Sequence, residues 1–264
     1  MVATRNAFGR NKYQWGTAHG IDSIDTMPVP HATSTYQPVP HGGLYRMWSE
    51  RLERAGYRIT SEEHWVTNDC DVFLSKVSIE SASLPTGLGF KWQTALINSY
   101  NRQVAIKSAM GANVFVCTNG CLSAEFMMRT KHTGGVWERL NGFVNDSVRT
   151  VEYRANAIFR QFQRYTETDA SSGRQVDHVV CEAYRNGIIP ASGIGQVLDH
   201  WKTPEHAEFL PRNVWSLYNA FTSYDRGRSV FERTSRTNRL HDLLNREFNI
   251  DGQTPQAVTN SLLT

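Results

Sequence analysis

The chain has 264 residues, 40% hydrophobic and 20% charged, with a formal net charge of +3 and a mean hydropathy of −0.46. That length buries a full core without staples, and no apolar run approaches the roughly 20 residues of a membrane helix, which excludes an integral membrane protein and a wholly disordered chain. The 28 basic residues divide into 22 Arg and 6 Lys, a skew shared by phosphate- and base-recognising surfaces and by GC-rich genomes.

The first 43 residues carry Gly9, Gly16, Gly20, Pro28, Pro30, Pro38, Pro40, Gly42 and Gly43 with scattered aromatics and no sustained period. They read as an extended N-terminal arm, whose Phe8, Tyr13, Trp15 and Tyr36 imply docking on the chain's own core or on a neighbouring subunit. The opening stretch lacks the apolar core of a signal peptide, and the four cysteines are too scattered for a disulfide framework, so a reducing cytoplasm is expected. Leu44, Met47, Trp48, Leu52 and Ala55 recur at helical spacing and predict a short amphipathic helix ending at Gly56.

Between residues 57 and 131 the period changes to two. Phe73, Val77 and Ile79, then Phe90, Trp92, Thr94 and Leu96, then Leu122, Ala124, Phe126, Met128 and Thr130 alternate with more polar neighbours, as half-buried antiparallel strands with one covered face do. Turns are expected at 83–89, 98–103, 110–113 and 118–120. From Val136 to Tyr165 one long amphipathic helix is predicted to cover that sheet, followed by helices over 176–186, 189–201, 212–224 and 236–248 and a polar tail over 249–264. The fold class is α+β: an antiparallel meander sheet packed on a long amphipathic helix, then a helical C-terminal half, with residues 44–248 forming a single domain.

Phosphate-loop, dinucleotide, nucleophile-elbow, HExxH, kinase and deaminase signatures are absent, so no cofactor, metal or catalytic residue is expected. Were an enzymatic site hidden, His64, Asp69, Asp71 and Asn119 would be its candidates. Asp69 and Asp71 share a face at spacing i, i+2, although a turn that uses Asn68 and Asp69 for its own backbone fits them better. Cys117 and Cys121 lack a second close pair of ligands for zinc.

Nucleic-acid binding needs cations for phosphate and flat side chains for bases. Basic segments occur at Lys91–Trp92, Tyr100–Lys107, Arg129–His132 and Arg226–Arg239, the last holding five arginines against Glu232 alone. Arg102, Lys107, Arg129, Lys131, Arg233, Arg236 and Arg239 are the candidate phosphate contacts.

Three passages carry a resemblance: INSYNRQVAIKSAMGANVFVCTNG at 97–120, the long helix that follows, and VWSLYNAFTSYDRGRS at 214–229 with the basic RTSRTNRL after it. Over roughly residues 90–248 the chain resembles the phage/plasmid-like protein family, the domain of unknown function nine-three-two. That resemblance implies a mobile-element origin among replication and recombination functions, and brings no catalytic residues with it. The expected function is nucleic-acid binding, single-stranded DNA above all, in annealing, replication or recombination, by a homo-oligomer that uses the arm. The alternative is a host-takeover or anti-defence protein that binds a host factor or small molecule through the arm.

Overall fold

The computed structural model describes residues 15–67, 69–88, 90–102, 104–114, 120–121, 126–225 and 230–250. A wholly antiparallel sheet is built from β1 (Trp15–Ala18), β2 (Arg58–Thr67), β3 (Val72–Glu80), β4 (Phe90–Ser99), β5 (Ile106–Val114), β6 (Gly120–Cys121) and β7 (Phe126–Thr130). Neighbours follow chain order from β1 to β6, as a meander does, and β7 returns to pair with β5 along the stretch that β6 leaves open.

Alternation decides which face each strand offers. Cross-strand partners share a face, so Phe73, Val77, Ile79, Trp92, Leu96, Ile106, Met110 and Ala112 form one apolar surface, all of it in the continuous core. The opposite face carries Leu74, Ala95, Ile97 and Ala109, each under 4% exposed, so the central strands are buried on both sides rather than on one as expected. The reason is local: these second-face positions are themselves apolar, where a solvated face would be polar. The turn expected at 110–113 is absent too. Met110 and Ala112 fill the core face, and Gly111 lies opposite Gln93 as an ordinary strand position.

The segment expected as an extended arm, docked on the chain's own core or on a neighbouring subunit, lies against its own protein over its described part. β1 adds to the edge of β2, the short helix α1 (Ile21–Asp25) follows, and Ile24, Tyr36 and Val39 are buried. Residues 1–14 lie outside the described residues. Helix α2 (His41–Arg54) then buries Leu44, Trp48 and Leu52, three residues of one stripe, against the sheet. Arg46 clasps Asp22 and Asp25, tying α1 to α2.

The single long helix proves to be two, α3 (Val136–Arg149) and α4 (Val151–Glu167), parted at Thr150. The Thr150 hydroxyl donates back to the carbonyls of Asp146 and Ser147, at 2.9 and 3.2 Å, a bond that competes with the helical ladder and bends it. The remaining helices are α5 (Gly173–Arg185), α6 (Gly193–Lys202), α7 (Val214–Tyr224) and α8 (Val230–Glu247). Ser172 caps α5 and Asn213 caps α7, each accepting from a backbone N–H three residues on. Helix α7 is buried at every position from Val214 to Phe221, the central rod of the helical half. Ile250, just past α8 and within the expected polar tail, is also buried, and residues 251–264 lie outside the described residues.

Two buried networks pin the halves. At the start of α2, His41 stacks between Phe73 and Tyr100, with its Nε2 at 3.2 Å from the Cys70 carbonyl and its Nδ1 at 2.9 Å from the Asn98 amide. In the helical half the Tyr165 hydroxyl donates to Asn245 at 3.1 Å and lies 2.9 Å from His241 Nδ1, with Phe162 and Tyr218 around the imidazole.

Burial pulls both imidazoles down to about 3. The unfolded chain therefore takes up protons below about pH 6.5 that the folded chain refuses, and stability falls with acidification. Urea titrations are expected to show stability falling steadily as the pH drops from about 6.5 towards 3, a dependence that His241→Gln makes shallower.

Helix α6 meets α7 closely at Gly193, where a Cβ would stand 2.8 Å from Cζ of Tyr224. Gly193→Ala should lower stability by about 1–3 kcal/mol and be far milder in a Tyr224→Ala background, the signature of a direct clash in a double-mutant cycle.

Candidate nucleic-acid interface

The hairpin register decides which cations meet. Ile106 pairs with Thr130 and Lys107 with Arg129, so Lys107 and Arg129 face each other directly across β5 and β7. Lys131, two residues after Arg129, follows just past the end of β7. Arg129 and Lys131 are exposed and Lys107 is half-buried, at the margin of the second sheet face beyond Ile97 and Ala109. Like charges directly opposite one another on a sheet are destabilising. Burial, then the guanidinium opposite, hold the Lys107 ammonium below the usual lysine range.

Arg102 sits in the β4–β5 turn at the same end of the sheet, its backbone in the left-handed region at φ 62°. Its guanidinium carbon lies 4.5 Å from the centre of the Tyr36 ring, and one nitrogen donates to the Thr33 hydroxyl at 3.3 Å. Tyr36 is buried, donates to the Tyr100 carbonyl at 2.9 Å, and stands 5.6 Å from the His132 ring, centre to centre. Burial pushes its hydroxyl up to about 12 against the opposing pull of Arg102. The Gln37 amide donates to the His132 carbonyl, closing the loop before α2 onto the residue after Lys131. Arg139, from the first turns of α3, wraps the 131–134 turn and donates to the carbonyls of Gly134 and Lys131.

Four of the seven candidate cations, Arg102, Lys107, Arg129 and Lys131, thus share one corner of the sheet. The other three lie on α8, in the helical half of the protein. Arg236 is held in an ion pair with Asp225 at 3.0 Å, both largely buried, and Arg239 donates to the Asn186 carbonyl at the end of α5. Arg233 lies on α8, Arg226 and Arg228 lie outside the described residues, and Asn119 does too. Arg154, on α4, is buried.

The remaining candidates have structural employment. Trp92 is buried and donates from Nε1 to the Pro85 carbonyl, so it offers no ring for stacking. Beside it a cleft of about 750 Å³ opens between Arg58, Glu80 and Lys91, but there the Arg58 charge is matched by Glu80. His64 is buried between Tyr45 and Phe73 with Nδ1 at 3.0 Å from the Ser75 hydroxyl, and burial lowers its pKa. Asp69 accepts from the Asp71 amide and the Thr67 hydroxyl, the self-contained turn of the simpler reading. Burial, then the charge of Asp69, raise the Asp71 carboxyl. Among the described residues no three His, Cys, Asp or Glu side chains converge on a metal position, and no helix is long and apolar enough to cross a membrane.

Tyr36 is the member of this corner that sequence reasoning missed. It lies 66 residues from Arg102 with no local pattern joining them, the only hint being an aromatic in a stretch expected to dock.

No family model, curated protein or solved structure matches this chain.

If Lys107 and Arg129 repel, removing one relieves strain. Arg129→Gln is expected to gain about 0.2–1 kcal/mol in thermal or urea unfolding at low salt, and to lose that gain near 1 M salt, where charges are screened within about 3 Å.

Proposed function

We propose that this protein binds nucleic acid along the β5–β7 margin, acting on single-stranded DNA in the replication or recombination of a mobile element. The observation that carries the reading is the opposition of Lys107 and Arg129 across the strands, continued by Lys131. Such a row costs folding stability and returns it when an anion lies over it. A repeating anion matches a row of cations better than an isolated one does, and the phosphodiester backbone is such an anion. The mobile-element setting rests on the order of the three passages that resemble the phage/plasmid-like family.

The arginines of α8 are assigned a different part. Arg236 and Arg239 hold α8 to Asp225 and to the end of α5, so their loss should weaken the fold before it weakens binding.

The test is fluorescence anisotropy with a labelled oligonucleotide across a salt series. The triple variant Lys107→Gln, Arg129→Gln, Lys131→Gln is expected to bind more weakly, its log–log salt slope shallower by about 2, at about 0.7 per lost phosphate contact on a single strand. Arg236→Gln with Arg239→Gln should keep the parental slope and melt earlier. Unchanged affinity in the triple variant would overturn the assignment of this margin.

A further inference from the structure

From the cation–π pair at the corner of the sheet, we infer that the guanidinium of Arg102, backed by Tyr36, is a platform on which an unpaired base stacks, and that it sets a preference for single strands. This rests on the β5–β7 margin being the nucleic-acid interface.

Arg102 was a candidate phosphate contact by charge alone, but its geometry suits another role. The guanidinium carbon sits over the ring of a buried tyrosine, 4.5 Å from its centre, so the cation rests against a rigid neighbour rather than sampling solvent freely. One of its nitrogens donates to the Thr33 hydroxyl, and the residue as a whole remains exposed. A planar cation fixed on one face by an aromatic ring presents its other face as a flat, weakly hydrated surface, and guanidinium planes take bases in this way. The Tyr36 ring is itself fixed by its bonds to the chain at Tyr100 and by the His132 ring beside it.

Position matches the role. Lys131 immediately precedes His132, whose ring flanks Tyr36, and Lys107 lies five residues after Arg102 on the strand leaving the turn. A backbone following Lys107, Arg129 and Lys131 therefore arrives beside the platform. In a duplex every base already has stacked neighbours and the edge of the helix cannot reach such a plane; a single strand can turn one base onto it. The turn also holds Arg102 in the left-handed region, a conformation that costs a non-glycine residue free energy and persists where the surroundings impose it.

Arg102→Lys separates plane from charge: lysine keeps the cation and loses the flat surface. Anisotropy would be read on three probes, a single strand, the same sequence as a duplex, and a single strand with abasic sites. The lysine variant is expected to lose about tenfold on the single strand, keep parental affinity for the duplex, and bind the abasic strand as the parent does. A lysine variant that equals the parent on the single strand overturns the platform and leaves Arg102 as a charge. Arg102→Gly guards against misfolding, since glycine adopts the same backbone freely; it should melt near the parent and show the same single-strand loss. A parent that binds none of the three probes overturns the reading of the β5–β7 margin, and this inference with it.

Discussion

Helix α4 is the wall on which both halves of the protein are built. Its first turns, through Val151, Ala155 and Ile158, are buried in the core beneath the sheet, and its last turns, through Phe162 and Tyr165, enter the aromatic cluster of α7 and α8. One apolar stripe therefore serves two different partners. The bend at Thr150 lets α3 leave at its own angle to cover β7, where an unbroken rod would have had to choose between sheet and bundle. Because the stripe is continuous, the buried residues of sheet and helices join one cluster rather than two.

Around that wall the buried polar groups act as locators. His41 reads the positions of three separate pieces at once: the Cys70 carbonyl from the β2–β3 turn, Asn98 from β4, and Tyr100 from the chain beyond it. His241 does the same for α8 against Tyr165. Both function as neutral rings, since a charge at either place would be buried among aromatics. Such groups contribute less through the strength of their bonds than through the penalty for any arrangement that leaves them unmatched.

The basic corner follows from the pairing of strands more than from composition. The chain is close to neutral, and much of its arginine content is spent on internal contacts: Arg46 on α1, Arg236 on Asp225, Arg212 on the Trp201 carbonyl and ring. What gathers cations at this margin is the return of β7 to β5 beside β6, which sets Arg129 against Lys107 across the strands.

How much of this was legible beforehand depends on the range over which the cause acts. Periodicity identified the α+β class, the sequential hairpins and the helical second half, because strand and helix repeats are local and apolar residues mark them directly. It misjudged the break at Thr150 and the strand through 110–113, where a single hydroxyl and a burial pattern set by distant neighbours override the local signal. Charge density along the chain pointed to the α8 arginines, yet folding commits Arg236 and Arg239 to internal partners, and it gathers Arg102, Lys107, Arg129 and Lys131 from two turns and two strands. The sequence by itself determined which residues could be buried and which elements could form. Only the tertiary structure decided which cations share a face and which aromatic lies beneath Arg102, because cross-strand register and a contact spanning 66 residues depend on the packing of the whole chain.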